Sequence, residues 1–324
     1  MLVIDADRIH AVLTPGAMVE ALRVAFNEPI EAPVRHHHPI ERAGEAAAML
    51  LLMPAWHGAA VRDGRIGVKV VSVFPGNAAR GKATVSGAYL LLSGTTGEPL
   101  AVLDGRALTL WRTAAASALA ASYLARPDAR TLAMVGAGDL APYLIAAHAA
   151  ERPIERVTIW NRNLDKARAL AARLDGTAPG GRRLTVTASE DLQTTVGSAD
   201  VVSAATLAGA PLVRGADLMP GTHVDLVGGF TPAMREADDE AIRRAEVHVD
   251  TYAGATHEAG DIVQPLTSGV LARDGIQSEL AELCRGAKPG RTSPAAITLF
   301  KSVGTALEDL AAASLVYDRV TRGA

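Results

Sequence analysis

Apolar residues first recur at helical spacing, where Met18, Leu22 and Phe26 follow a Thr14-Pro15 start; this predicts an amphipathic helix over 14–26. Between Val34 and Asp104 they come instead in short runs: AMLLLMPAW, IGVKVVSVF, SGAYLLL and PLAVLD. Turn signals at Arg62-Asp63-Gly64 and Thr95-Thr96-Gly97 part the runs, the pattern of an antiparallel sheet. An alanine-rich helix follows, expected to be capped by Thr109 and stopped by Pro127-Asp128.

From Thr131 the period changes again. Strand-like TLAMVGAG, RVTIWNR, RLTVTA, DVVSAAT, THVDLVGG and EVHVD are interleaved with helical stretches such as DKARALAARL. Strands alternating with helices make a parallel, doubly wound sheet. A last apolar helix is expected over 304–320. The predicted fold class is α/β: a Rossmann-type doubly wound parallel sheet over residues 119–299, plus an antiparallel α+β domain built from residues 1–118 with 300–324.

Composition excludes several partners. Hydrophobic residues make up 49%, but no uninterrupted apolar run reaches the roughly 18 residues of a spanning helix, so no membrane partner is expected. The start MLVIDADRIHAVL has acids where a secretory leader has a basic region, and a cytoplasmic location is the expectation. Cys284 is the only cysteine, which leaves no intrachain disulfide and no multi-cysteine metal site. A net charge of −3 offers nucleic acid no basic face. Small molecules and other protein chains remain.

Gly136-Ala137-Gly138-Asp139-Leu140-Ala141 reads G-x-G-x-x-A directly after one strand and at the start of a helix. In that context the first glycine permits a tight turn, the second lets a pyrophosphate approach the backbone, and Ala141 lets the helix pack closely. The helix N-terminus then favours the phosphates. About 20 residues on, where an acid would take the ribose 2′-hydroxyl of NAD, the next strand runs into Asn161-Arg162. An arginine fork suits a 2′-phosphate, so NADPH is the expected cofactor, with NADH possible.

Two cations stand in unusual places. Lys69 shares a strand face with Val71 and Val73 and must find an anion there. Arg112, in the first turn of a helix capped at Thr109, would be opposed by the helix dipole and also calls for an anion. A structural salt bridge would satisfy either one. His36 and His38 share a strand face but make an incomplete metal set, and no metal is expected. His223 and Asp225 suit a ligand or an internal hydrogen bond; Glu258 and Asp261 read as a helix-start cap.

The segments GVKVVSVFPGN, TVSGAYLLLSGTTGEPLAVLDG, LTLWRTAAASALA, MVGAGDLA, IWNRN, GTHVDLVGGFTPAMREAD, EAGDI and ITLFKSVGTALEDLAAA together resemble the ornithine cyclodeaminase/mu-crystallin family over nearly the whole chain. The resemblance implies a Rossmann domain with a substrate-binding and dimerisation domain to which the C-terminal helix returns, and a homodimer. It implies that Arg35, Lys69 and Arg112 bind a substrate carboxylate, with Lys69 catalytic and Arg112 also beside the cofactor. It implies cofactor contacts at Thr84, Gly136, Gly138, Asp139, Leu140, Asn161, Arg162, Thr206, Val227 and Ser302.

One departure is informative. Ornithine cyclodeaminases carry an aspartate directly after their Gly-Gly pair, whereas this chain reads Gly228-Gly229-Phe230. A phenyl ring accepts no proton. The GGFTPAMREAD version is similar to the branch that reduces cyclic ketimines such as Δ1-pyrroline-2-carboxylate and Δ1-piperideine-2-carboxylate, so the expected partner is a small cyclic imino acid. Ornithine cyclodeamination, an alanine dehydrogenase-like activity and NADPH-linked ligand binding of the mu-crystallin type are the alternatives.

Overall fold

The computed structural model describes residues 1–323. They divide into two compact units, Met1–Arg112 joined by the segment that starts at Thr305, and Thr113–Gly304.

The first unit is a sheet of strands β1 (Leu2–Ile4), β2 (Ile30–Glu31), β3 (His36–Ile40), β4 (Ala48–His57), β5 (Arg65–Val73), β6 (Val85–Ser93) and β7 (Pro99–Asp104). Their order is β1-β7-β6-β5-β4-β2, with β3 also paired to β4. All pairs are antiparallel except β1 with β7. Helices α1 (Ala6–Val12) and α2 (Pro15–Asn27) precede the long strands, and the C-terminal helix Ala306–Arg322 packs on α2, β4 and β5. Because side chains alternate along a strand, the register separates two faces. Met53, Lys69, Tyr89 and Leu103 are cross-strand neighbours on the buried face, as are Ala55, Gly67, Leu91 and Ala101. Leu52, Val70 and Ala88 form one row of the other face, and Pro54, Val68, Leu90 and Val102 the next. That second face is apolar yet incompletely covered, with Val70 39% exposed.

Strand β7 passes without a loop into helix α3 (Gly105–Leu124). The Asp104 carboxylate accepts from Ala107 N at 2.7 Å, so the helix starts earlier than the expected Thr109 cap. Thr109 instead lies inside the helix and donates to Gly105 O at 2.7 Å. Arg112 is consequently about two turns in, outside the first turn on which the dipole argument depends.

The second unit carries eight parallel strands, β8 (Thr131–Val135), β9 (Arg156–Trp160), β10 (Thr185–Ser189), β11 (Val201–Ala204), β12 (His223–Leu226), β13 (Ala245–Val249), β14 (Ile276–Glu279) and β15 (Ile297–Lys301). They run in the order β10-β9-β8-β11-β12-β15-β13-β14. From β8 the chain builds outward to β10, then returns to the other side of β8 at β11. This is the reversal point at which doubly wound sheets bind ligands beyond their strand carboxyl ends. The crossovers include α4 (Ala141–Glu151), α5 (Leu164–Leu174), α6 (Leu192–Gly197), α7 (Asp239–Arg244), α8 (Tyr252–Glu258) and α9 (Gly260–Ser268). Alanine, valine and leucine from β8, β11, β12, β13 and β15 fill the core between the layers. Among the described residues no single helix is long and apolar enough to cross a membrane.

Candidate active site

In the first unit the anion demanded by Lys69 is Asp309. The Lys69 Nζ donates to Asp309 Oδ1 at 2.8 Å and stands 2.7 Å from Oδ2. Arg112 Nη1 donates to Glu308 Oε2 at 2.8 Å, and its Nε lies 3.2 Å from Asp309 Oδ1. All four side chains are buried; Lys69 is 2% exposed. Both carboxylates belong to the first turn of the C-terminal helix, whose Thr305 cap accepts from Leu307 N. The positive end of the helix dipole in that first turn favours negative charge there.

Burial pushes the Lys69 ammonium pKa down to about 8, with Arg112 and Arg35 adding to the push and Asp309 opposing it. An amine titrating there can give and take a proton near neutral pH. Arg35 is half-buried, just before β3, close enough for its charge to be felt at Lys69. Arg35, Arg112, Glu308 and Asp309 thus gather charge of both signs around one buried amine. Below the lysine, Gly67 makes room for the buried Tyr89 ring; a Cβ there would lie 1.9 Å from the phenol oxygen. Thr84 sits at the entrance to β6, its carbonyl accepting from Phe74 N at 2.8 Å.

In the second unit the glycine turn takes the form its chemistry needs. Gly136 has φ +116°, and a Cβ on it would meet Ala205 O at 2.7 Å, so no other residue fits without strain. Its N–H donates to Trp160 O at 2.8 Å, tying the turn to β9. A Cβ on Gly138 would meet nothing within 4 Å. The N–H groups of Ala137 and Gly138 have no partner among the described residues, while Asp139 and Leu140 lead into α4. Free amides, open space and a helix start fit a dinucleotide pyrophosphate.

The turn after β9 is equally open. Asn161 donates to Asn163 O at 2.9 Å, and the Asn163 side chain caps α5. That ordered turn presents Arg162 exposed, without an ion pair among the described residues.

Thr206, Val227 and Ser302 lie just past the carboxyl ends of the adjacent strands β11, β12 and β15. Val227 N donates to Ala204 O at 2.8 Å and Ser302 N to Leu226 O at 3.1 Å. Beneath them is a buried group that sequence reasoning missed. The Glu236 carboxylate accepts from Thr206 N at 2.7 Å, Thr206 Oγ1 at 2.8 Å and Gly228 N at 2.7 Å. Lys301 Nζ is 3.9 Å from Glu236 and 3.2 Å from Asp261. Burial pushes Glu236 up to about 7, with Lys301 pulling it down and Asp261 adding to the rise. Asp261 is no helix cap: it accepts from Glu236 N at 2.8 Å and Ala237 N at 3.0 Å. Phe230, which follows the Gly228-Gly229 pair, is 41% exposed.

The remaining polar candidates settle elsewhere. His36 and His38 lie on the exposed strand β3, ring centroids 6.3 Å apart. Asp225 is fully buried and accepts from Ser203 Oγ at 2.7 Å, with His148 Nε2 at 3.2 Å; His223 pairs with Thr298. These are interior hydrogen bonds. The ionic partners Glu308 and Asp309 also escaped the sequence reading, since acids opening an apolar helix read as solvated dipole partners.

Comparison with known proteins gives a consistent result. The model of the ornithine cyclodeaminase/mu-crystallin family matches residues 7–324. A Delta(1)-pyrroline-2-carboxylate reductase of Colwellia psychrerythraea is 36% identical over 324 residues, covering 99% of each chain. The structure of the Thermococcus litoralis Delta(1)-pyrroline-2-carboxylate reductase in complex with NADH and L-proline superposes with a TM-score of 0.91 at 32% identity, covering 100% of this chain and 98% of that one. An archaeal alanine dehydrogenase dimer with bound NAD superposes with a TM-score of 0.89 at 26% identity, covering 100% and 97%.

Proposed function

We propose, since this chain belongs to the ornithine cyclodeaminase/mu-crystallin family, that it reduces a cyclic ketimine carboxylate with a nicotinamide dinucleotide, taking Δ1-pyrroline-2-carboxylate to proline or Δ1-piperideine-2-carboxylate to pipecolate. The buried Lys69, held by Asp309 and poised to titrate near neutrality, carries the reading. The relatives named Δ1-pyrroline-2-carboxylate reductase support the reaction, and Phe230 argues against deamination, which needs a carboxylate where the phenyl ring stands.

When bound, the reduced nicotinamide supplies a hydride. Its acceptor, the C=N carbon, becomes far more electrophilic once the ring nitrogen is protonated. Lys69 supplies that proton: an Nζ–H bond breaks, the N–H bond of the ring forms, and the neutral amine recovers its proton from water. Arg35 and Arg112 take the substrate carboxylate, and that grip fixes the ring's orientation. Thr84 and Arg112 belong to the nicotinamide side in this reading. Gly136, Gly138, Asp139 and Leu140 serve the pyrophosphate, and Thr206, Val227 and Ser302 line the strand ends. Asn161 and Arg162 read the adenosine ribose, and the unpaired Arg162 fork favours NADPH over NADH.

The incompletely covered apolar sheet face around Val70, Val68 and Leu90 supports a homodimer, since a larger apolar patch in water marks an interaction site. A single light-scattering measurement giving the monomer mass at micromolar concentration would remove that part.

A panel assay tests the reaction. Oxidation of NADPH is followed with the five- and six-membered ketimines, with pyruvate plus ammonia, and with ornithine. Turnover of a ketimine with little from the other two is expected. Release of proline and ammonia from ornithine without net NADPH use would replace the proposal with cyclodeamination; preferred use of pyruvate and ammonia, with an alanine dehydrogenase. Tight NADPH binding without turnover would indicate a binding protein.

A further inference from the structure

The geometry points to Asp309 as a positioning residue for the Lys69 proton: its carboxylate fixes the ammonium in place and keeps it charged, while Glu308 occupies the outer arm of Arg112. This role rests on the reduction proposed above.

Lys69 projects from the middle of β5 between Met53 and Tyr89, on a face covered by helices. An ammonium there has lost its hydration and, without a counter-ion, would surrender its proton. The charged and polar groups facing it come from four directions. Arg35 lies before β3 and Arg112 on α3, and both repel it. Thr109 Oγ1, also on α3, is 3.5 Å from Nζ and its own proton goes to Gly105 O. Tyr89 on β6 holds its phenolic proton tightly, driven by burial and by Asp309, and is no proton donor near neutrality. The C-terminal helix brings Glu308, engaged with Arg112, and Asp309. Among the described residues Asp309 is therefore the carboxylate in ion-pair contact with Lys69, and it opposes every other influence on the amine.

The assignment separates two jobs. Lys69 gives up the proton, whereas Asp309 holds the amine in position and transfers no proton to the substrate. An ammonium has three hydrogens, and the bond to Asp309 leaves others for the ring nitrogen.

Asp309→Asn removes the charge and keeps the shape. With protonated Lys69 as the acid, kcat/KM of the wild type falls as pH rises through the lysine pKa. In the variant that fall should move to lower pH by about one unit or more, the usual size of an adjacent opposite charge. A purely structural role for Asp309 would lower activity without moving the midpoint. Lys69 is titrated independently by competitive acetylation with acetic anhydride, read by peptide mass spectrometry, without substrate or cofactor. Its midpoint should lie near 8 in the wild type and lower in the variant; an unchanged midpoint overturns the assignment whatever the enzyme reduces. If no ketimine is turned over at all, the proposed reaction fails while the acetylation result still judges the pair. Should Asp309→Asn not fold, Asp309→Glu takes its place. It retains the charge but shifts the ammonium, so the titration should persist near 8 while kcat falls at least tenfold and KM changes less. Unaltered kcat in that variant would overturn the role.

Discussion

Each unit buries a lysine against carboxylates, but in different proportions. In the first, Lys69 and Arg112 face Asp309 and Glu308, two cations for two anions, with Arg35 nearby. In the second, Lys301 alone faces Asp261 and Glu236. Burial is the main cause of both shifts: it pushes the Lys69 amine down to about 8, with Arg112 and Arg35 adding to the fall, and the Glu236 carboxyl up to about 7, with Asp261 adding to the rise. Hydrogen bonding follows the same division. Asp309 meets the side-chain cations Lys69 and Arg112, whereas Glu236 collects donors from two strand-end loops, at Thr206 and Gly228. The first cluster holds a buried amine in ion pairs, the proton donor of the proposed reaction; the second ties backbone loops to a buried carboxylate.

Substituting the two lysines separates these roles most sharply. Lys69→Met should lower ketimine turnover by about 10²–10⁴-fold, the usual loss of a positioned acid, while NADPH affinity measured by fluorescence stays within about twofold. Lys301→Met should cost about 3–5 kcal/mol of folding stability in urea denaturation, because two buried carboxyls lose their cation. If Lys69→Met proved mainly a folding defect, the contrast between the clusters would collapse.

The next effect is one of pH. Glu236 has its folded pKa raised from 4.5 to about 7, so its contribution to stability is fully present below pH 4.5 and lost as pH rises through 7. Relative to Glu236→Gln, which lacks this titration, the wild type should lose up to about 3 kcal/mol between pH 4.5 and 8. A stability difference between the two that does not change with pH would show that Glu236 is an ordinary ionised acid.

Smallest is the effect at Arg162, exposed and screened. Arg162→Ala should reduce the preference for NADPH over NADH by about tenfold, worth about 1.4 kcal/mol, through KM or Kd and not kcat. Equal affinities in the unmutated protein would leave the arginine no role in cofactor choice.

What could be read from the chain alone was whatever local rules decide. Gly136 was legible because a strand, a tight turn and a helix start fall within a few residues, and only glycine tolerates that φ. Lys69 was legible as a charge in an apolar strand, but its partner 240 positions away was not. Thr109 was misread as a cap because Asp104 looked like the end of a strand, and the misreading placed Arg112 in the wrong turn. The run Ile297–Lys301 gave no sign of being a strand: a central parallel strand is buried on both faces and loses its alternation. Glu236 and Asp261 were invisible as a pair, since only the crossovers that carry them bring them to Lys301.

The central claim is that a proton from Lys69 and a hydride meet at one C=N bond. A single turnover with NADPH carrying deuterium at both C4 positions and Δ1-pyrroline-2-carboxylate tests it most directly, reading the product by mass spectrometry and NMR. Proline carrying one deuterium at its α-carbon is expected, formed at the rate of NADPH loss, with both processes suppressed together in Lys69→Met. Proline free of deuterium, or undiminished deuterium transfer in Lys69→Met, would contradict the account.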